Sequence, residues 1–107
     1  MHSRCEQRLN ATLIPVQVTG LGTLHIQTPG RALDVSRNGL RLAVPEPIPV
    51  GSLLRIELED SIVFGEVRYC QDHESWHAVG LFVEEVLVGE SELSRLVVQR
   101  LHWQQSV

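Results

Sequence analysis

The chain has 107 residues, a net charge of −4 and two cysteines, which suits one small domain with a single hydrophobic core. The acidic balance argues against a general binder of nucleic-acid polymers, and two cysteines do not make a disulfide framework, so we expect a reduced, cytoplasmic protein. The start at Met1 lacks a basic-apolar leader, and no apolar run is long enough for a membrane helix, so we expect neither a signal peptide nor membrane insertion.

Charge is distributed unevenly along the sequence. All nine basic residues are Arg; residues 1–41 hold five of them against two acids, whereas residues 42–107 hold four against eleven acids. Guanidinium groups suit planar, bidentate recognition of phosphates and bases, although a codon preference would also favour Arg. We therefore expect any anion site to lie in the first 41 residues.

Residues 1–10 are polar without periodicity and are predicted to form an arm ahead of the folded domain. Segments of alternating polarity follow, with Pro15 indicating an edge strand or a bulge in the first of them. The predicted strands are 11–18, 24–27, 32–36, 40–44, 54–59, 62–70 and 76–83. The turn between the second and third is placed at Pro29-Gly30. Six or seven short strands at regular spacing favour a small closed antiparallel barrel.

The last segment has helical rather than strand periodicity. Gly89 or Ser91 can begin this helix, with Glu90 and Glu92 at its positive end. An apolar stripe at helical spacing is expected to pack on the sheet. Its members are Leu93, Leu96, Val97 and Leu101.

Residues 34–39 form the candidate binding segment. Asp34 and Ser36 are two residues apart, so on an extended strand both side chains leave by one face while Val35 enters the core. Asn38-Gly39 between apolar runs predicts a tight hairpin, because both residues tolerate positive φ. A carboxylate and a hydroxyl then stand side by side next to a turn open to a ligand. From these residues alone, the alternative is that Asp34 and Ser36 only cap the turn.

The segment His73-Glu74-Ser75-Trp76-His77 matches the zinc-protease pattern His-Glu-x-x-His. That chemistry needs both histidines on one face of a helix, whereas this segment lies between two predicted strands and begins as a loop. No third ligand follows at a suitable spacing, so we expect no metal site. There is no P-loop, Gly-x-Gly-x-x-Gly or Cys-His-Asp arrangement either, so the sequence does not support an enzyme.

Two elements suited to anions occur in a fixed order. Arg4-x-x-x-Arg8 lies in the predicted arm, and Asp34-x-Ser36-x-x-Gly39 begins 26 residues after Arg8. In order, spacing and strand context they resemble the PilZ domain family. The resemblance extends over nearly the whole chain, including strand segments 65–70 and 79–82 and the closing helix.

The resemblance implies an all-β fold, a six-stranded antiparallel barrel with a C-terminal helix. The arm would be residues 1–10, the barrel 11–88 and the helix 89–105. It also implies binding of cyclic di-GMP, without a further cofactor. The implied ligand-binding residues are Arg4, Arg8, Asp34, Ser36, Arg37 and Gly39.

Each of these residues has a role that the resemblance implies. Arg4 and Arg8 would wrap over the ligand and meet phosphates and guanine edges, a pairing that Arg makes with O6 and N7. Asp34 would accept from guanine N1 and N2, and Ser36 would bond a base or a phosphate. Gly39 would leave room for the ligand, and Arg37 would add positive charge.

The expected function is that of a receptor and adaptor. The arm would close over the nucleotide and a protein partner would recognise the closed state. Ser3 stands where many members carry a further Arg, which leaves open whether one nucleotide or an intercalated pair binds. Two alternatives are a PilZ-like interaction module that binds no nucleotide and a single-strand nucleic-acid barrel. The latter needs aromatic platforms in a basic groove.

Overall fold

The computed structural model describes residues 14–101 of the chain. Within this range the chain forms six strands followed by one helix. The elements are β1 (Ile14–Gly20), β2 (Gln27–Val35), β3 (Gly39–Val44), β4 (Leu53–Leu58), β5 (Ser61–Asp72), β6 (His77–Leu87) and α1 (Glu92–Leu101). No helix in this part of the chain is long and apolar enough to span a membrane.

The six strands form a closed barrel in the order β1-β2-β3-β6-β5-β4, and β1 pairs with β4 to close it. Every pairing is antiparallel, so the predicted antiparallel barrel is confirmed. Alternate side chains point inward along each strand and fill the interior. The completely buried ones include Val18, Leu42, Leu54, Ile56, Val63, Val67 and Val79.

The course of β2 differs from the prediction. The predicted strand at 24–27 and turn at Pro29-Gly30 are both wrong, since β2 runs without interruption over Gln27–Val35. Residues 27–32 pair with β1, whereas pairing with β3 begins only at Arg31. Pro29 therefore lies where β2 has a ladder partner on one side alone, a position at which the missing N–H group is tolerated.

The hairpin between β2 and β3 is present, but its tip differs from the prediction. The Ser36 amide donates to the Gly39 carbonyl at 2.9 Å, which leaves Arg37 and Asn38 as the loop. Neither Asn38 nor Gly39 has a positive φ, so the expected left-handed Asn-Gly turn is wrong. Gly39 instead begins β3. An added Cβ there would lie 3.2 Å from the Ser36 hydroxyl and 3.3 Å from the Leu81 carbonyl.

A β-bulge at Leu33 sets the direction of Asp34. The pairing of Ala32 with Leu42 would match Asp34 with Leu40 if it continued unbroken, but the register shifts and Asp34 pairs with Arg41. Leu40 points into the core, and directly paired residues share a face of the sheet. The extra residue thus turns Asp34 to the outer surface, the kind of redirection that bulges produce near functional sites.

A second bulge, at Arg68, does the same on β5. Val67 pairs with Leu81, but the register then shifts so that Tyr69 pairs with Gly80 instead of the buried Val79. Tyr69 is consequently directed outward, next to Arg68. The two bulges bring an acid and an aromatic ring onto the same outer surface of the barrel.

Helix α1 is attached to the barrel at its N-terminus by Asp60. Ser91 caps the helix, because its hydroxyl accepts from the Ser94 amide at 3.0 Å. Asp60 accepts from the Glu90 and Ser91 amides at 2.7 and 2.9 Å, and from the hydroxyls of Ser91 and Ser94. The Ser94 and Ser91 hydroxyls above all, with these amides, hold the pKa of the Asp60 carboxyl well below its usual range. Of the predicted apolar stripe, Leu96 is the member with a described side chain, and it is exposed.

Candidate functional site

Two rows of cross-strand partners run over the outer surface of the barrel. In the first row, Asp34 of β2 pairs with Arg41 of β3, Arg41 with Gly80 of β6, and Gly80 with Tyr69 of β5. Since neighbouring strands lie about 4.8 Å apart, this row is about 14 Å long. An acid, a guanidinium and a phenol ring therefore stand along one line of the surface.

The second row lies beside the hairpin tip. Gly39 of β3 pairs with Phe82 of β6, and Phe82 pairs with Glu66 of β5. Ser36 joins this row through its backbone bond to Gly39. Ser36 and Asp34 both line the groove that lies beside this row.

A groove of about 440 Å³ lies over the two rows. Gly39 leaves the floor low beside the hairpin tip, whereas the space over Gly80 is filled by the ring of Tyr69. An added Cβ at Gly80 would come within 2.1 Å of the Tyr69 ring, so the ring lies over the Gly80 backbone. The groove is lined by the hairpin tip on one side and by Tyr69, Arg68 and Phe82 on the other.

The carboxylate of the groove is paired with a guanidinium across the hairpin. Nε of Arg41 lies 3.4 Å from Oδ2 of Asp34, and the two side chains are 42% and 23% exposed. The Nε atom is shut off from solvent and has no hydrogen-bond partner among the described residues. We therefore regard the contact as an ion pair without the alignment of a hydrogen bond.

The opposite wall combines aromatic surface with positive charge. The guanidinium carbon of Arg68 lies 4.7 Å from the centroid of the Phe82 ring, within the range of a cation–π contact. Its Nη2 atom also lies 3.9 Å from Oε1 of Glu66. Tyr69 and Phe82 are 43% and 39% exposed, an unusual degree for large rings in so small a barrel. The wall can offer flat apolar surface to a planar group.

The groove is positively charged in a chain that is acidic overall. Among the lining residues, Arg37, Arg41 and Arg68 stand against the single acid Asp34, a net charge of +2. The whole chain carries −4. Glu66 lies next to this lining, 3.9 Å from Arg68, and the arrangement as a whole favours anions because a groove concentrates the field of the charges that line it.

Four of the six predicted ligand-binding residues line this groove: Asp34, Ser36, Arg37 and Gly39. Arg4 and Arg8 lie outside the described residues. The sequence prediction missed the far wall and Arg41. Tyr69 and Phe82 reach the groove only through the pairing of β5 and β6 with β3, for which the sequence gives no signal. Arg41 could have been predicted, because it follows Gly39 by two residues and therefore lies on the same face of the strand.

The segment that matches the zinc-protease pattern forms the turn between β5 and β6. The His73 amide donates to the Trp76 carbonyl at 2.9 Å, and the two rings stack with centroids 4.0 Å apart. Nδ1 of His77 lies 2.9 Å from Oδ1 of Asp72. The segment is therefore a hairpin, not a helix with both histidines on one face. Residues 14–101 contain no group of three or more His, Cys, Asp or Glu that could hold a metal ion.

Comparison with known proteins identifies the family of the chain. The family model of the PilZ domain matches residues 2–99. The chain belongs to the PilZ domain family. A search of curated proteins gives no match to this PilZ domain. PilZ domains form a family of cyclic di-GMP receptors. In general, members of the family bind nucleotides and are not enzymes.

Proposed function

We propose that this PilZ domain is a receptor for cyclic di-GMP that binds the nucleotide in the groove between the β2–β3 hairpin and the β5–β6 wall. The observation that carries the proposal is that Asp34 and Ser36 line the same groove, whose lining has a net positive charge. This positive lining suits the two phosphates of the ligand. Family membership supports the same ligand.

The hairpin supplies the polar recognition in this proposal. The Asp34 carboxylate accepts the N1 and N2 hydrogens of a guanine, two parallel bonds that adenine cannot make. The Ser36 hydroxyl, next to it, bonds a base or a phosphate. Gly39 leaves room for the Ser36 hydroxyl to turn towards the ligand, and Arg37 at the exposed tip adds charge near the phosphates.

The wall supplies flat surface for a base. Tyr69 and Phe82 are half-exposed along the groove, and Arg68 lies over the Phe82 ring. Stacking of a base on an aromatic side chain contributes about 1–3 kcal/mol. A guanine held at its edge by Asp34 and on its face by this wall would be fixed in two directions.

The arm completes the proposed mechanism. Arg4 and Arg8 close over the bound nucleotide and bind its phosphates and guanine edges. Ordering each arm residue costs about 1–2 kcal/mol, whereas each charge-assisted bond returns about 1.5–3 kcal/mol. A few such bonds are enough to make closure depend on the ligand. The closed arm and barrel then form a surface that a protein partner recognises in the bacterial cytoplasm.

Isothermal titration calorimetry with cyclic di-GMP tests the proposal. We expect a dissociation constant in the micromolar range or tighter, with binding lost in Arg8→Ala and in Asp34→Ala. Arg31→Ala is the matched control, because Arg31 is an exposed cation of β2 that lines a different groove. Its affinity should equal that of the wild type.

The titration also separates this function from its alternative. No heat with the folded wild-type protein contradicts the receptor function and leaves a PilZ-like interaction module that binds no nucleotide. Equal losses in Arg31→Ala and Arg8→Ala would mean that positive charge alone attracts the ligand, and would contradict the groove as the site.

A further inference from the structure

Arg41 lies in the proposed site without belonging to the Arg-x-x-x-Arg and Asp-x-Ser-x-x-Gly elements. It is directly opposite Asp34 because the bulge at Leu33 shifts the β2–β3 register by one residue. On its other side it pairs with Gly80, over whose backbone the Tyr69 ring lies, and the Arg41 side chain lines the groove beside that ring. Its place is therefore set by two strands and a bulge rather than by a mobile loop.

The contacts of Arg41 divide its guanidinium into two parts. The Nε side faces Oδ2 of Asp34 at 3.4 Å, in a solvent-free position. The side chain as a whole is nevertheless 42% exposed, so its terminal nitrogens are open to the groove. Among the described residues Asp34 is its one ion-pair partner, which leaves the donors of the outer end available to a ligand anion.

We propose that Arg41 is a further ligand-binding residue, which holds the Asp34 carboxylate from one side and binds a ligand phosphate with its terminal nitrogens. The proposal rests on cyclic di-GMP binding in the groove. A guanidinium beside Asp34 offsets the repulsion between this carboxylate and the phosphates of the nucleotide. A guanidinium fixed between carboxylate and phosphate attracts both.

Calorimetric titration of cyclic di-GMP into three variants at low and at high NaCl tests this role. Arg41→Ala should weaken binding about tenfold or more, the loss of one charge-assisted contact. Arg41→Lys should recover part of the affinity, because it restores the charge without the planar fork. Arg31→Ala should bind like the wild type. The affinity of Arg41→Ala should also depend less on salt than that of the wild type, since one phosphate contact is gone.

The outcomes separate this inference from the receptor function. Wild-type binding with an unchanged affinity in Arg41→Ala overturns the role of Arg41 and leaves the receptor function standing. An affinity loss with the same salt dependence as the wild type overturns the phosphate contact. Absence of binding by the wild type overturns both. Arg41→Gln, which keeps the length and polarity of the side chain, serves if thermal unfolding shows that Arg41→Ala is not folded.

Discussion

At Gly39 the space that a side chain would take is bounded by two oxygen atoms. An added Cβ would lie 3.2 Å from the Ser36 hydroxyl and 3.3 Å from the Leu81 carbonyl. The carbonyl belongs to the barrel wall and cannot move, whereas the hydroxyl is at the end of an exposed side chain and can rotate away. Glycine suits this position because a side chain would displace the Ser36 hydroxyl. It is not required by a left-handed backbone, since φ of Gly39 is not positive.

The substitution Gly39→Ala tests the role of these two oxygen atoms. The free energy of unfolding should fall by no more than about 1 kcal/mol, since a small rotation relieves the contact. Affinity for cyclic di-GMP should fall about two- to tenfold, the usual effect of one neutral hydrogen bond. Urea unfolding and calorimetry measure the two quantities.

A double-mutant cycle controls this prediction. In the Ser36→Ala background the hydroxyl is already absent, so adding Gly39→Ala should cause little further loss of affinity. Additive losses would mean that the new methyl group meets the ligand itself, and would contradict the role assigned to Gly39.

The residues of the site differ in how far the sequence predicts them. Alternation along a strand is enough to place Asp34 and Ser36 on one face, with Val35 buried between them. It cannot place Arg41 opposite Asp34, because that pairing depends on the bulge at Leu33, which a two-residue repeat does not reveal.

At the scale of elements, the N-terminus of helix α1 is fixed to the region between β4 and β5 by the Asp60 carboxylate and by the buried Ser61 hydroxyl. The Ser61 hydroxyl donates to that of Ser94 and accepts from the Gly89 amide. Asp60 accepts two amide and two hydroxyl hydrogen bonds, and these bonds favour its ionised form. A carboxyl whose pKa is lowered on folding stabilises the protein fully above its unfolded pKa, which is about 3.9. That stabilisation is lost as the pH falls further towards the lowered pKa of the folded state.

Asp60→Asn should therefore lower the midpoint of thermal unfolding at neutral pH, because the amide NH₂ group meets donors where the carboxylate accepted. The difference between wild type and variant should shrink as the pH is lowered below about 4. Thermal unfolding followed by circular dichroism over this range measures it. Glu59→Gln removes a charge from the adjacent residue of the same turn and should not change the pH dependence. A wild-type advantage that persists undiminished in acid would contradict the role of Asp60.

The sequence predicts some strands correctly and others not, for a physical reason. Strands with one wet and one buried face, such as β3 and β4, are visible in the alternation. The course of β2 is not visible in this way, because Pro29-Gly30 is typical of a turn. Pro29 fits within the strand only because β2 lacks a ladder partner on one side at that position. That fact is a property of the barrel and not of the local sequence.

At the scale of the whole molecule, closure of the barrel brings together residues far apart in the chain. Pairing of β3 with β6 sets Gly39 against Phe82 and Arg41 against Gly80, so the hairpin and the aromatic wall face one groove. The sequence predicts a barrel from the spacing of its strands, but it does not predict which strands are neighbours. For this reason the hairpin half of the groove was predicted and the wall was not.

The most direct test of this account is a titration of the ¹⁵N-labelled protein with cyclic di-GMP followed by amide chemical shifts. We predict saturable shifts in residues 34–41, 68–69 and 80–82 and in the arm residues 1–10, with little change at the opposite end of the barrel around residues 21–24. Cyclic di-AMP, which lacks the guanine donors for Asp34, should cause much smaller shifts. Shifts that are absent from residues 34–41, or that are equal for the two nucleotides, would contradict the central claim.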